Sequence, residues 1–216
     1  MLFNGKIRPQ MQRRLKGAKY KELILMKGIA EIDPVLLEKK CYTYEDYAKL
    51  PEGARYQLIG GQLIMTPAPS TYHQEISKHL EYLLYEYGEL RQKLGKVYYA
   101  PVDVYLEDEE TYQPDIIFIS NNRLDIIKKE KIEGAPDIII EILSPSTAYY
   151  DLVHKKEVYA KHRVKEYWIV DPIGKWIELY KNDNGAFLLI TKARKGESIS
   201  SEVLIGFKVT LDAIFL

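Results

Sequence analysis

Apolar residues recur along this chain in two rhythms. Between residues 70 and 95, Ile76, Leu80, Leu83, Leu84 and Tyr87 fall three or four apart, which predicts an amphipathic helix with one buried face. Ser70 is placed to cap its start and Gly95 to stop it. Elsewhere the rhythm is shorter. The segments Arg55 to Ile59 and Gln62 to Thr66 flank Gly60-Gly61, a pair that tolerates positive φ, so they predict a hairpin. Val97 to Leu106, Asp115 to Ser120 and Asp137 to Leu143 are rich in Val, Ile, Tyr and Phe and too short for helices, so each reads as a strand. The third contains Ile138-Ile139-Ile140-Glu141-Ile142-Leu143, apolar almost throughout, the composition of a strand covered on both faces.

The remaining elements follow from local signals. Thr43 can cap a short helix running to Leu50, with Glu45 and Asp46 in its first turn and Pro51 and Gly53 beyond its end. Ser144-Pro145-Ser146-Thr147 turns the chain into a helix from about Ala148 to His162. Val164 to Val170 and Trp176 to Tyr180 predict two strands around a turn at Pro172 and Gly174, and Phe187 to Ile190 and Phe207 to Leu211 close the sheet. This order describes an α/β or α+β fold, a mixed sheet flanked by helices.

Composition narrows the classes. At 216 residues and 46% hydrophobic, the chain is long enough for one domain with a buried core. Thirty-one basic residues balance 31 acidic ones, so no polyanion is held by a global field. The charge is uneven, because residues 1–28 carry eight Lys or Arg against the single acid Glu22. A basic N-terminal extension, residues 1–40, therefore precedes a domain at 41–216; its apolar residues Leu15, Tyr20, Leu23, Ile24, Leu25 and Met26 let it dock on the domain or a partner, and the alternative is a solvated terminus. Cys41 is the only cysteine, which excludes an internal disulfide framework and a cysteine-built zinc site and fits a reducing, cytoplasmic setting. No window approaches eighteen consecutive apolar residues, so no membrane span is expected.

Glu141 is the residue most in need of explanation. An acid inside an Ile/Leu run is desolvated, and a buried carboxylate must be protonated, paired or metal-bound. An ordinary buried ion pair satisfies that requirement, and so does a functional site. Asp137 lies four residues earlier on the same strand, about 13 Å away at ~3.3 Å per residue, so it reads as strand-start solvation. Asp115 opens a different strand; if that strand pairs beside Glu141, the two carboxylates come within ~5 Å. Asp103, flanked by Val102 and Val104, is either the polar face of a half-exposed strand or a third carboxylate in a common site. Such an oxygen-rich set suits Mg²⁺ or Mn²⁺. Lys155 sits two turns into the following helix. It is either a surface lysine paired with Asp151 at i,i+4 or an ammonium leaning toward the end of the Glu141 strand.

These residues also carry a family likeness. The runs Tyr56 to Leu63, Pro67-Ala68-Pro69-Ser70 with His73-Gln74, Ala100 to Val104, Gln113-Pro114-Asp115, Gly134 to Asp137, Glu141 to Thr147, Asp151 through Lys155 to Tyr159 and Glu166 to Pro172 resemble the Uma-two family of restriction endonucleases over about residues 42–215. That family belongs to the PD-(D/E)XK nuclease superfamily, so the resemblance implies a restriction-endonuclease-like core and Mg²⁺- or Mn²⁺-dependent hydrolysis of a nucleic-acid phosphodiester, DNA first. It puts the paired acids at Asp115 and Glu141 and selects Lys155, because Leu143 stands where the superfamily lysine usually follows the glutamate. Asp103 and His73 fall at family motif positions, Asp103 near the metal and His73 as a hydrogen-bond partner or phosphate contact. Gln57 departs from the family glutamate, and Gly60 from a frequent aspartate; a neutral amide is a weaker metal ligand and no base. The competing reading is a nucleic-acid-binding module that keeps the nuclease fold without turnover. Restriction-type nucleases often cut as homodimers, and nothing in this pattern specifies an interface.

Overall fold

The computed structural model describes residues 39–51, 53–145 and 148–215. The basic extension, apart from its last two residues, lies outside the described residues, and so do Ser146 and Thr147 of the turn before the last long helix. Residues 40–48 and 55–216 form one compact unit. Residues 1–39 and 49–54 group as another, whose described part contains a turn in which the Ala54 N–H donates to Pro51 O at 2.9 Å.

The larger unit begins with α1 (Tyr44–Tyr47), where the Asp46 carboxylate accepts the Thr43 N–H at 3.1 Å. It is a single turn rather than a helix to Leu50, because the residue before a proline is pushed out of helical conformation. A hairpin follows, β1 (Tyr56–Ile59) and β2 (Gln62–Met65). Its two-residue turn puts Gly60 at φ +56° and Gly61 at φ +68°, values the favoured hairpin turn demands at both positions. Ser70 Oγ accepts the His73 N–H at 3.1 Å and starts α2 (Thr71–Leu84), which buries Ile76, Leu80 and Leu84 and runs on as a π-helical turn to Arg91. The helix stops at Lys93, with φ +52°, and not at Gly95. Gly95 instead opens β3 (Gly95–Tyr99), where a Cβ would lie 2.0 Å from Ile119 O.

The expected strand from Val97 to Leu106 is two strands in two sheets. Pro101 has no N–H for a ladder, so β3 ends at Tyr99 and β4 (Val104–Glu107) begins beyond it. Next come β5 (Glu110–Tyr112), β6 (Ile116–Ser120), β7 (Ile132–Glu133) and β8 (Ile138–Ile142). A π-helical stretch, Tyr150–His154, leads into α3 (Lys155–Lys161). The chain then forms β9 (Glu166–Asp171), β10 (Trp176–Asp183), β11 (Ala186–Arg194) and the small pair β12 (Ser198–Ser200) and β13 (Lys208–Thr210).

Six strands make a mixed sheet in the order β11-β10-β9-β8-β6-β3, parallel only between β8 and β9; a second sheet runs β2-β1-β5-β4-β7. Parity along β6 and β8 divides their side chains between two cores. Ile116, Phe118, Ile138 and Ile140 pack with Ile76, Leu80 and Leu84 of α2. Ile117, Ile119 and Ile139 face the other way, against Tyr159 of α3 and Ile59, Val104 and Tyr112 of the five-stranded sheet. A strand covered on both faces is the arrangement the Ile run of β8 predicts, and every residue of β8 is buried.

Candidate active site

The register of β6 and β8 pairs Ile116 with Ile140 and Ile117 with Ile139, which sets Asp115 opposite Glu141 one step beyond. Directly opposed residues share a face, and both positions have the parity of the core that contains Tyr159. Asp115 Oδ2 accepts the Ile142 N–H at 2.7 Å, which holds the carboxylate against the neighbouring strand. Both acids lie along a cleft of about 1090 Å³, also lined by Gln57, His73, Gln113, Lys155, Pro145 and Ile173.

Lys155 reaches this place from α3. It is buried, with Nζ 3.0 Å from Glu141 Oε1 and 2.9 Å from Asp151 Oδ1, so its i,i+4 partner is real but neither residue is on the surface. The Tyr159 hydroxyl donates to the same Glu141 oxygen at 2.8 Å. Asp151, Lys155 and Tyr159 stand at i, i+4 and i+8, a polar stripe on the buried side of the helix. The spacing is visible in the sequence, but it does not say which side of the helix faces the core, so neither the role of Tyr159 nor the burial of Asp151 follows from it.

Burial pushes the Glu141 carboxyl above its ordinary value; Lys155 opposes the shift, and the charges of Asp151 and Asp115 add to it. Burial works against the Lys155 ammonium too, but Glu141 and Asp151 outweigh it and hold the amine above its usual range. The two directions agree physically. One cation serves two buried carboxylates with a third nearby, so the ammonium stays charged and the acids carry surplus negative charge.

His73 caps the arrangement from α2. Its Nε2 lies 3.1 Å from Ile142 O and 3.4 Å from Asp115 Oδ2; a carbonyl only accepts, so Nε2 carries the proton. Burial opposes protonation of this ring, but the Asp115 carboxylate prevails and raises its pKa.

Asp103 is placed differently from the expectation. It lies before β4 rather than inside a strand, because Pro101 interrupts the ladder, and it is not among the residues lining the cleft. Its Oδ1 accepts from Tyr47 Oη at 2.8 Å and Gln113 Nε2 at 2.9 Å, so it acts on the cleft through the Gln113 amide. Asp137 is also corrected. It is fully buried and accepts from Ser120 N and Oγ and from Lys165 Nζ at 2.7 Å, which makes it an internal brace rather than a solvated strand start.

Among the described residues, neither Asp115 Oδ1 nor Glu141 Oε2 takes a hydrogen bond. Two spare carboxylate oxygens on opposed residues are the hard donors that Mg²⁺ or Mn²⁺ accepts while keeping several waters. No set of three or more Asp, Glu, His or Cys able to hold a metal occurs among the described residues, so water and substrate would complete such a shell.

Residues 44–212 match the family model Uma2, described as "putative restriction endonuclease". The chain belongs to the Uma2 family. Among solved structures it is similar to a "putative nuclease belonging to DUF820" from Anabaena variabilis ATCC 29413, with 19% identity, a TM-score of 0.67, and coverage of 80% of this chain and 97% of that one. That likeness establishes the fold, a restriction-endonuclease-like α/β core. No curated protein matches the chain. In this Uma2 protein the departing residue, Gln57, is buried on the cleft wall, and its Oε1 accepts the Gln113 N–H at 3.2 Å. Among the described residues no helix is long and apolar enough to cross a membrane.

Proposed function

We propose that this protein is a divalent-metal-dependent nuclease that hydrolyses phosphodiester bonds in nucleic acid, DNA first. One observation carries the reading: Asp115 and Glu141 oppose one another across adjacent strands on a cleft, each with a spare oxygen, and the Lys155 ammonium is 3.0 Å from Glu141. Asp115 and Glu141 would hold Mg²⁺ or Mn²⁺. Bound there, the ion would supply charge neutralisation at the phosphate and a more acidic water.

The chain's own residues do the rest. Lys155 has three N–H donors; one is given to Glu141 and the ammonium is ion-paired with Asp151 at 2.9 Å, so donor capacity remains for a phosphate oxygen or the attacking water. Tyr159 and Asp151 fix that ammonium and carboxylate in place. His73 anchors Asp115 and the Ile142 carbonyl, and Asp103 orients the Gln113 amide.

The test is calorimetric titration of Mn²⁺ into the wild type and Asp115→Ala, with plasmid nicking in parallel. Metal-dependent heat and nicking, both lost in the variant, are expected. Absence of heat in the wild type removes the enzyme reading. Gln57 in place of a glutamate supports the second reading, a binding module without turnover; it gains if metal binds while plasmid, linear duplex and single strands all stay intact.

A further inference from the structure

The cleft that holds the paired acids is built for one strand rather than two. Its walls present five prolines, Pro67, Pro69, Pro101, Pro145 and Pro172, which offer apolar faces and no N–H to a phosphate. Ile173, 87% exposed, stands at its edge. Below them the chemistry is recessed: Glu141 is 3% exposed and Lys155 1%. Two lysine or arginine side chains line the cleft. Lys155 is occupied by two carboxylates, whereas the guanidinium of the exposed Arg55 makes no ion pair or hydrogen bond among the described residues; only its backbone carbonyl is engaged, by the Thr66 N–H at 2.9 Å. Over their whole length, residues 41–216 hold 21 basic and 27 acidic residues, a net charge of −6.

A duplex presents about one charge per 1.7 Å of axis, and proteins that hold it neutralise many phosphates with Lys and Arg. One free guanidinium on an acidic domain is a poor match. Asp115 is partly exposed, but a phosphate that also reaches Glu141, 3% exposed, is more easily supplied by a strand that can bend into the cleft than by a convex duplex. A single strand needs few phosphate contacts, gains from apolar and stacking surfaces, and can thread between walls. We infer that the substrate enters this cleft as a single unpaired strand, its backbone held by Arg55 and its bases against the proline walls. The inference rests on the nuclease reading and narrows its substrate to single-stranded nucleic acid or unpaired regions within a duplex.

The full chain carrying Ile173→p-benzoylphenylalanine tests it without metal or turnover, because the photoreactive group reports on nucleic acid at the cleft edge, and Arg55→Ala assigns that signal to the cleft. Labelled oligothymidylate and a blunt duplex of equal length are irradiated with it across a salt series. Cross-linking of the single strand about tenfold above the duplex is expected, with Arg55→Ala lowering it about tenfold and flattening its log–log salt slope by about 0.7, one phosphate contact. Equal cross-linking of the duplex, no cross-link to either, or an unchanged slope in Arg55→Ala overturns the inference. Plasmid nicking by the wild type is scored separately: nicking without a single-strand cross-link keeps the nuclease and discards the strand preference.

Discussion

Replacing Glu141 with glutamine should stabilise the protein while abolishing the proposed metal binding. Removing one partner of a buried ion pair ordinarily costs about 3–5 kcal/mol, because the other charge is stranded. Here Lys155 is not stranded, since Asp151 remains 2.9 Å away. The amide oxygen can still accept from Tyr159 and Lys155. What disappears is one carboxylate from a buried group in which acids outnumber the cation. The carboxyl's ordinary value is 4.5 and its folded value is higher, pushed up chiefly by burial. Above pH 4.5 the folded state therefore binds protons more tightly than the unfolded chain, and stability falls as pH rises toward the folded value. Each unit of that shift is worth about 1.4 kcal/mol, so at pH 7 glutamine should recover about 1–3 kcal/mol, or about 2–10 °C in Tm. Urea unfolding in EDTA from pH 4.5 to 8 measures this directly. The gain should vanish toward pH 4.5 and grow with pH, while Mn²⁺ raises the Tm of the wild type alone. A variant less stable than the wild type at pH 7, or a stability difference that does not depend on pH, refutes the account of surplus buried charge.

Three further substitutions probe other parts of the structure. Lys155→Met strands Glu141 and Asp151 together and should cost about 3–5 kcal/mol in urea unfolding, with much of the loss recovered when Glu141→Gln is added, a non-additivity that a double-mutant cycle reads. Asp137→Ala should cost about 3 kcal/mol at pH 7, since Ser120 and Lys165 lose a fully buried partner. Burial alone would raise the Asp137 pKa, but Lys165 and Ser120 hold it below 3.8, so its stabilisation is present above that pH and should fade on further acidification of the wild type. Gly95→Ala forces a Cβ to within 2.0 Å of Ile119 O; a Tm unchanged within 1 °C, against an expected loss of at least about 2 kcal/mol, would show that β3 can move aside.

The elements set by strong local physics were legible in the chain. A serine cap before a three-and-four spacing gave α2, two glycines gave the hairpin turn, and an isoleucine run gave a strand with two covered faces. Glu141 stood out because desolvation of a carboxylate is a local fact of composition. Asp103 was misread because alternation assumes an unbroken strand, and Pro101 breaks it. Asp137 was misread for a different reason: its partners come from β6 and from the loop before β9, far away in sequence. The confinement of Asp151 was likewise hidden, since i,i+4 spacing says that two side chains meet without saying which side of the helix faces the core.

The helical origin of the lysine limits what it can do. Just past the end of the strand, position 143 is a leucine packed against the core that contains Tyr159, and the ammonium near Glu141 comes from α3. A lysine delivered from a helix into the interior needs counter-charges; Glu141 on β8 supplies one, and Asp151, four residues earlier in the π-helical turn, supplies a second. The consequence is a cation held by two carboxylates, with its pKa above the usual amine range. Such a group cannot act as a general base at neutral pH, because it does not release its proton there. In the proposed nuclease its contribution would be electrostatic, so the alkaline limb of a pH–rate profile should not report Lys155 below about pH 10. A basic limb near neutrality that disappears in Lys155→Arg, a variant that keeps the charge, would contradict this and assign the proton transfer to the lysine itself.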